Sequence, residues 1–255
     1  MHRLRWIAAA TVVATGCFLR TIPDLTSGPA SSTDAGVDAL SPESDALVDA
    51  NADAATSCPP SKAGPALVAV PATPPFCIDA TEVTLAQYDN WKSRSVAELP
   101  QGCAASTSLR VAPAASPDLP ATFPSWCEAY AFCAFAGKRL CTESELRFAC
   151  SKGGRQRYPY GDTFDPSACN VAEQSPTGPW AAGSHASCEG AFPGIFDLVG
   201  NTDEWTASCA LPPDSGDLNT TCSVFGGYTK TTGATCAAPV IQTRDSNAGF
   251  RCCAP

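Results

Sequence analysis

Cysteine is the strongest constraint on this chain: there are 15 in 255 residues. A reducing cytosol gives so many thiols little use, whereas an exported protein oxidises them into cross-links. Fourteen lie between Cys58 and Cys253, an even number, and Cys17 stands apart near the N-terminus. Only two histidines are present, His2 and His185. Once a leader is removed His185 alone remains, which excludes any site built on two or three imidazoles. The formal net charge of −9 argues against a nucleic-acid binder, which needs a basic face to neutralise phosphates.

Residues 1–17 read as an export signal. Arg3 and Arg5 form a positive start, Ile7 to Val13 is apolar, and Ala14-Thr15-Gly16-Cys17 follows. The apolar run falls short of the roughly 20 residues that span a bilayer as a helix. Small residues before Cys17 resemble a bacterial lipobox, with Ala14 where Leu is usual. That ending predicts lipidation at Cys17 and a membrane anchor in the bacterial cell envelope, facing the periplasm or the cell surface. An ordinary cleaved signal with an incidental cysteine is the other reading. Residues 18–57 are rich in Ala, Ser, Thr, Asp and Pro, and seven acidic side chains from Asp24 to Asp53 face only Arg20. Such a stretch cannot bury enough apolar surface to offset ordering entropy, so it reads as an acidic linker. All five Tyr and four of the five Trp lie beyond it, placing one domain at 58–255.

Few runs in that domain exceed ten residues without Pro or Gly, so regular structure should be sparse. The clearest helix is Ser125 to Phe135, capped by Ser125, with Trp126, Tyr130, Cys133 and Ala134 on one face. A second opens at Thr142, whose pairing with Glu145 fits a capping box and puts Leu146, Ala149 and Cys150 on one side. Thr84 opens a third short candidate running to Trp91. There is no Walker loop or dinucleotide fingerprint, and His185 sits in a Gly/Ser loop with no nucleophile elbow nearby.

Several segments, in order, resemble the formylglycine-generating enzyme (sulfatase-modifying factor) family. These are Phe76-Cys77-Ile78-Asp79-Ala80-Thr81-Glu82-Val83-Thr84 with Tyr88, the stretch Trp126 to Cys133, Ala136-Gly137-Lys138-Arg139-Leu140 with Thr142-Glu143 and Glu145, and Tyr158-Pro159-Tyr160-Gly161-Asp162. Gly200-Asn201 with Glu204-Trp205-Thr206, Gly226-Gly227 and Gly249-Phe250-Arg251-Cys252 complete the set. The resemblance implies a single disulfide-rich α+β domain with sparse secondary structure, related in topology to C-type lectin domains. It also implies the pairs Cys133–Cys252 and Cys150–Cys236. Cys58–Cys77, Cys169–Cys188 and Cys209–Cys222 are local pairs on offer; Cys103, Cys127, Cys141 and Cys253 remain, their pairing open, with 103–127 and 141–253 the preferred choice. Arg139 and Arg251 read as satisfied by buried carboxylates or carbonyls rather than by substrate.

Enzymes of that family hold copper(I) with two cysteines five apart, just after the Gly-Gly; soft sulfur suits that ion. Here Tyr228 to Thr235 contains no cysteine, so copper is not expected. Calcium is. The resemblance maps a calcium site onto the Asp197 side chain, the Gly200 and Thr202 carbonyls and the Glu204 side chain, all hard oxygen donors. A metal-free buried carboxylate turn is the alternative there. The family's second calcium site would begin at Asn170-Val171 but lacks a clear acidic counterpart downstream. The function expected is a non-catalytic binding or interaction module for a peptide, glycan or protein partner. The alternative is an oxidoreductase of the same superfamily acting on a peptide or a small thiol.

Overall fold

Each of the three helices begins at a side chain able to satisfy its free N–H groups. In α1 (Leu85–Arg94), Thr84 Oγ1 accepts from the Gln87 N–H at 3.3 Å while Gln87 Oε1 accepts from the Thr84 N–H at 3.0 Å. The same reciprocal capping box opens α2 (Trp126–Phe135) with Ser125 and Glu128, and α3 (Glu143–Ser151) with Thr142 and Glu145. Helix α3 stops where Lys152 turns left-handed at φ 53°. In α2 Trp126 and Cys133 are buried, but Ala134 is exposed, contrary to the face expected for it. At 100° per residue Ala134 lies about 80° round from Trp126, and the last turn of the helix stands clear of the core.

These elements belong to a computed structural model describing residues 57–94, 103, 115–171, 178–211, 220–227, 234–237, 240–243 and 247–255. The described residues form a mixed α+β domain within one compact unit, Asp49–Pro255. The expected signal segment, Cys17 and nearly all of the linker lie outside the described residues.

The strands are β1 (Leu67–Val70), β2 (Phe76–Asp79), β3 (Arg139–Leu140), β4 (Glu204–Cys209), β5 (Thr221–Phe225), β6 (Val240–Thr243), β7 (Gly249–Phe250) and β8 (Cys252–Ala254). They make two four-stranded sheets, ordered β1-β2-β8-β3 and β6-β5-β4-β7. The first is antiparallel throughout; the second contains one parallel pair, β4 with β7. Residues 249–254 thus serve both sheets, with Arg251 at the crossing. Glu204 lies opposite Gly249 in one sheet and Ile78 opposite Cys253 in the other.

Two apolar clusters fill the interior. One holds Trp91, Trp126, Phe132, Trp205 and Phe250, with the Phe132 and Phe250 rings edge to face at 5.3 Å. The other holds Phe76, Ile78, Leu146, Ile195 and Phe225. Indole N–H groups fasten chain segments together: Trp126 Nε1 donates to the Thr206 carbonyl at 2.8 Å and Trp205 Nε1 to the Pro124 carbonyl at 3.1 Å.

Seven disulfides complete the frame. Cys58 bonds Cys77, Cys103 bonds Cys127, and Cys133 bonds Cys252. Cys141 bonds Cys253, Cys150 bonds Cys236, Cys169 bonds Cys188, and Cys209 bonds Cys222. Neighbours in a strand face opposite ways, so Cys252 enters the first apolar cluster with Cys133 and Cys253 the second with Cys141. One short strand is therefore stapled from both faces.

Cys133–Cys252 spans 119 positions and Cys209–Cys222 spans 13. Chain entropy assigns about 5 kcal/mol to the long loop and about 3 to the short one. The double variant Cys133→Ser/Cys252→Ser should therefore lose more stability in urea than Cys209→Ser/Cys222→Ser. The reverse order would contradict the model.

Candidate functional site

Arg251 is fully buried, and a buried guanidinium must find acceptors for its donors. Its Nε donates to Glu204 at 3.0 and 2.8 Å, and Nη2 donates to Glu204 Oε1 at 2.6 Å. Carbonyls take further N–H groups: Asp79 O accepts from Nη1 at 3.2 Å and Phe196 O from Nη2 at 2.9 Å. The chain supplies this geometry because β4 and β7 run parallel, setting Glu204 beside the strand that leads into Arg251.

Two more buried carboxyls, Glu82 and Asp197, contribute to the electrostatics around the same guanidinium. Glu82 Oε1 accepts from Asn201 Nδ2 at 2.9 Å, while Oε2 is buried with no hydrogen-bond partner among the described residues. Asp197, at φ 59°, accepts from the Gly183 N–H at 2.6 Å. Asn201 is the polar hub beside them. Its Oδ1 accepts from Trp180 N–H at 2.8 Å and Asn170 Nδ2 at 2.9 Å. Gly200 has to be glycine: a Cβ there would lie 2.5 Å from the Asn170 carbonyl oxygen, and φ is 82°.

Three acidic side chains thus share one cation. Burial raises the Glu82 carboxyl well above its ordinary value, and the nearby Asp197 charge adds to the effect. Burial likewise raises Asp197 and Glu204, with Arg251 pulling both back. Asp79 behaves similarly at the edge of the cluster. Burial pushes it up to about 6 against the opposing Lys138 ammonium and the Cys252 N–H, which it accepts at 2.8 Å. Chemically this is a buried acidic cluster that favours protons or a cation over a full set of carboxylates.

The four residues of the expected calcium site lie in the irregular segment 197–203 and at Glu204, where β4 begins. The Gly200 N–H donates to the Gly226 carbonyl at 2.8 Å, and the Gly200 carbonyl accepts from the Thr202 N–H at 2.7 Å. Both Glu204 oxygens face Arg251. Among the described residues, no group of three or more His, Cys, Asp or Glu side chains is arranged to hold a metal ion. His185 is half-buried, its Nε2 2.9 Å from the Ser167 carbonyl and its ring against Trp180 at 4.8 Å. Arg139 pairs with Glu145 through two N–H groups at 2.7 and 2.5 Å. Residues 228–233, after Gly226-Gly227, lie outside the described residues. Glu82 and Asn201 carry the cluster, and the sequence marks them only as letters of the family motifs.

A model of the sulfatase-modifying factor enzyme 1-like domain matches residues 51–254. The inactive C-alpha-formylglycine-generating enzyme 2 of Bos taurus is 44% identical over 100 residues, covering 36% of this chain and 33% of that protein. Hercynine oxygenase of Mycobacterium tuberculosis is 35% identical over 108 residues, 37% of this chain and 24% of that protein. The chain therefore spans a third or less of the length of these relatives. The solved structure of PvdO from Pseudomonas aeruginosa superposes with a TM-score of 0.53 at 18% identity, covering 71% of this chain and 80% of that one. That likeness is one of fold.

Raised carboxyls bind protons more tightly in the native than in the unfolded chain, so their contribution to stability falls as pH rises. Asp79 spends it between pH about 4 and about 6, and Glu82 at higher pH. Glu145, held low by Arg139, acts only below its ordinary range. The melting temperature should be higher at pH 5 than at pH 8, and Glu82→Gln should reduce the difference. A melting temperature that climbs over this interval would refute the assignment.

Proposed function

This chain belongs to the sulfatase-modifying factor enzyme 1-like family, and on that premise we propose that its domain is an exported binding module that does not perform copper–thiolate oxidation. The carrying observation is that all fourteen cysteines from Cys58 to Cys253 are joined in disulfides. A copper(I) centre of the family's kind needs two thiolates, and sulfur in a cystine cannot supply them. So many cross-links also suit an oxidising compartment, which supports export; anchorage through a lipid on Cys17 and display on residues 18–57 are proposed from the sequence of the leader and linker. The topology is read as related to C-type lectin domains, and the ligand class as peptide, glycan or protein. Among the described residues no helix is long and apolar enough to cross a membrane.

A second reading, an oxidoreductase acting on a peptide or small thiol, has the comparisons on its side. Relatives named formylglycine-generating enzyme and hercynine oxygenase favour it over a purely non-catalytic role. It would require a redox group held by something other than cysteine thiolates. Oxygen uptake separates the two. With copper(I) or iron(II) and a cysteine-containing peptide or a free thiol, the binding module consumes no oxygen above the metal blank. Saturable, protein-dependent uptake would overturn it in favour of the oxidoreductase.

Calcium at Asp197, Gly200, Thr202 and Glu204 is proposed in a structural role. The excess of buried carboxyl over guanidinium among Glu82, Asp197 and Glu204 supports a hard cation nearby. Calcium should raise the melting temperature of the chelator-treated protein, and Asp197→Asn should abolish the rise. An unchanged melting temperature would dismiss the site.

A further inference from the structure

The outer side of α3 takes no part in the cluster around Arg251, yet its surface is hollowed along the helix. Three depressions follow the helix. The first, about 420 Å³, is walled by Pro74, Pro75, Phe76 and Phe148, with Ser144 and the paired Arg139 and Glu145 also lining it. The second, about 440 Å³, shares Ser144 and Phe148 with the first and adds Ser208 and the paired Glu143 and Arg147. The third, about 200 Å³, shares Arg147, Ser151 and Gly154 with the second and extends to Arg157. Shared walls make the three one groove with an apolar end and a basic end.

Phe148 stands between the first two depressions and is held in place. Its ring meets Phe76 edge to face at 6.4 Å and stacks on Phe192 at 6.0 Å. On another side Gly153 approaches so closely that a Cβ would lie 3.1 Å from the ring. A wall fixed in this way needs no rearrangement to receive a ligand.

Charge marks the other end. The whole chain carries −9, yet from Lys138 to Arg157 there are six basic side chains and two acidic ones. Lys138 is buried on Asp79, Arg139 pairs with Glu145, and Arg147 pairs with Glu143. That exhausts the two acids. Lys152, Arg155 and Arg157 are exposed and have no ion-pair partner among the described residues. Arg157 lines the third depression, and Lys152 and Arg155 flank Gly153 and Gly154 of the second, so unneutralised positive charge gathers at the end of the groove away from its apolar well.

We propose that this groove binds an acidic peptide segment of a partner protein, one apolar side chain entering the well beside Phe148 and carboxylates lying along Arg157 and the neighbouring Lys152 and Arg155. Concavity selects a chain over a bilayer, since a flat anionic surface would reach the rim but not the well. Screening over about 8 Å at physiological salt confines the repulsion from the rest of this acidic protein. The peptide assignment rests on the binding-module reading and names the ligand class for it. Its test reads affinity alone, so it can fail while oxygen uptake still excludes an oxidase, and the reverse.

The probe is a fluorescein-labelled peptide with one phenylalanine ahead of a run of glutamates, followed by anisotropy on the full chain. Saturable binding is expected, weakening as salt rises. The exposed-site double variant Arg155→Gln/Arg157→Gln should weaken it about tenfold or more, and Ser144→Trp should weaken it by blocking the well. Both variants should melt within a few degrees of the parent. The proposal is overturned by any of four results: no saturable binding, equal affinity for the same peptide with lysines in place of glutamates, unchanged affinity in the double variant, or binding only to phosphatidylglycerol vesicles.

Discussion

The contact between Arg251 and Glu204 sits where the chain passes from one sheet to the other, and much of the domain is arranged around it. Arg251 follows Phe250, which packs in the first apolar cluster, and precedes Cys252 and Cys253, which are stapled to α2 and to the residue after β3. A guanidinium at such a crossing has no access to water, so the fold must bring it acceptors. Glu204 and the carbonyls of Asp79 and Phe196 fill that role. A buried ion pair of this kind gives little net stability over an apolar replacement, but removing one partner leaves a stranded charge costing about 3–5 kcal/mol. The pair thereby enforces the register between β4 and β7.

Disulfides do the rest of the structural work because regular elements are too short to do it. The longest strand has six residues and two strands have only two. Such pieces cannot bury enough surface by themselves, and cross-links lower the entropy of the unfolded chain instead. The chemical consequence follows from the same use of sulfur. Cysteines engaged as cystine hold a scaffold rigid and leave the groove along α3, rather than a thiol centre, as the surface best shaped for recognition.

Local features were readable in the residues; distant ones were not. Ser125 with Glu128 and Thr142 with Glu145 act within one helical turn, so both capping boxes announce themselves by spacing. Periodicity puts Ala134 on the buried face because it cannot tell where a helix leaves the core. The bond from Asn201 to Glu82 joins residues 119 positions apart, and nothing near either residue points to the other. The family motifs carried the overall domain, and the family match spans residues 51–254. They did not disclose the groove, whose walls at Pro74–Phe76 and at Phe148 meet only after β2 and α3 pack together.

The central claim is that sulfur in this domain is committed to cross-links. Alkylation of the unreduced protein in strong denaturant, followed by mass spectrometry of the intact chain and its peptides, tests it most directly. The account predicts no alkylated cysteine from Cys58 to Cys253. Two alkylated cysteines within that span, recovered from protein that has never met a reductant, would contradict it.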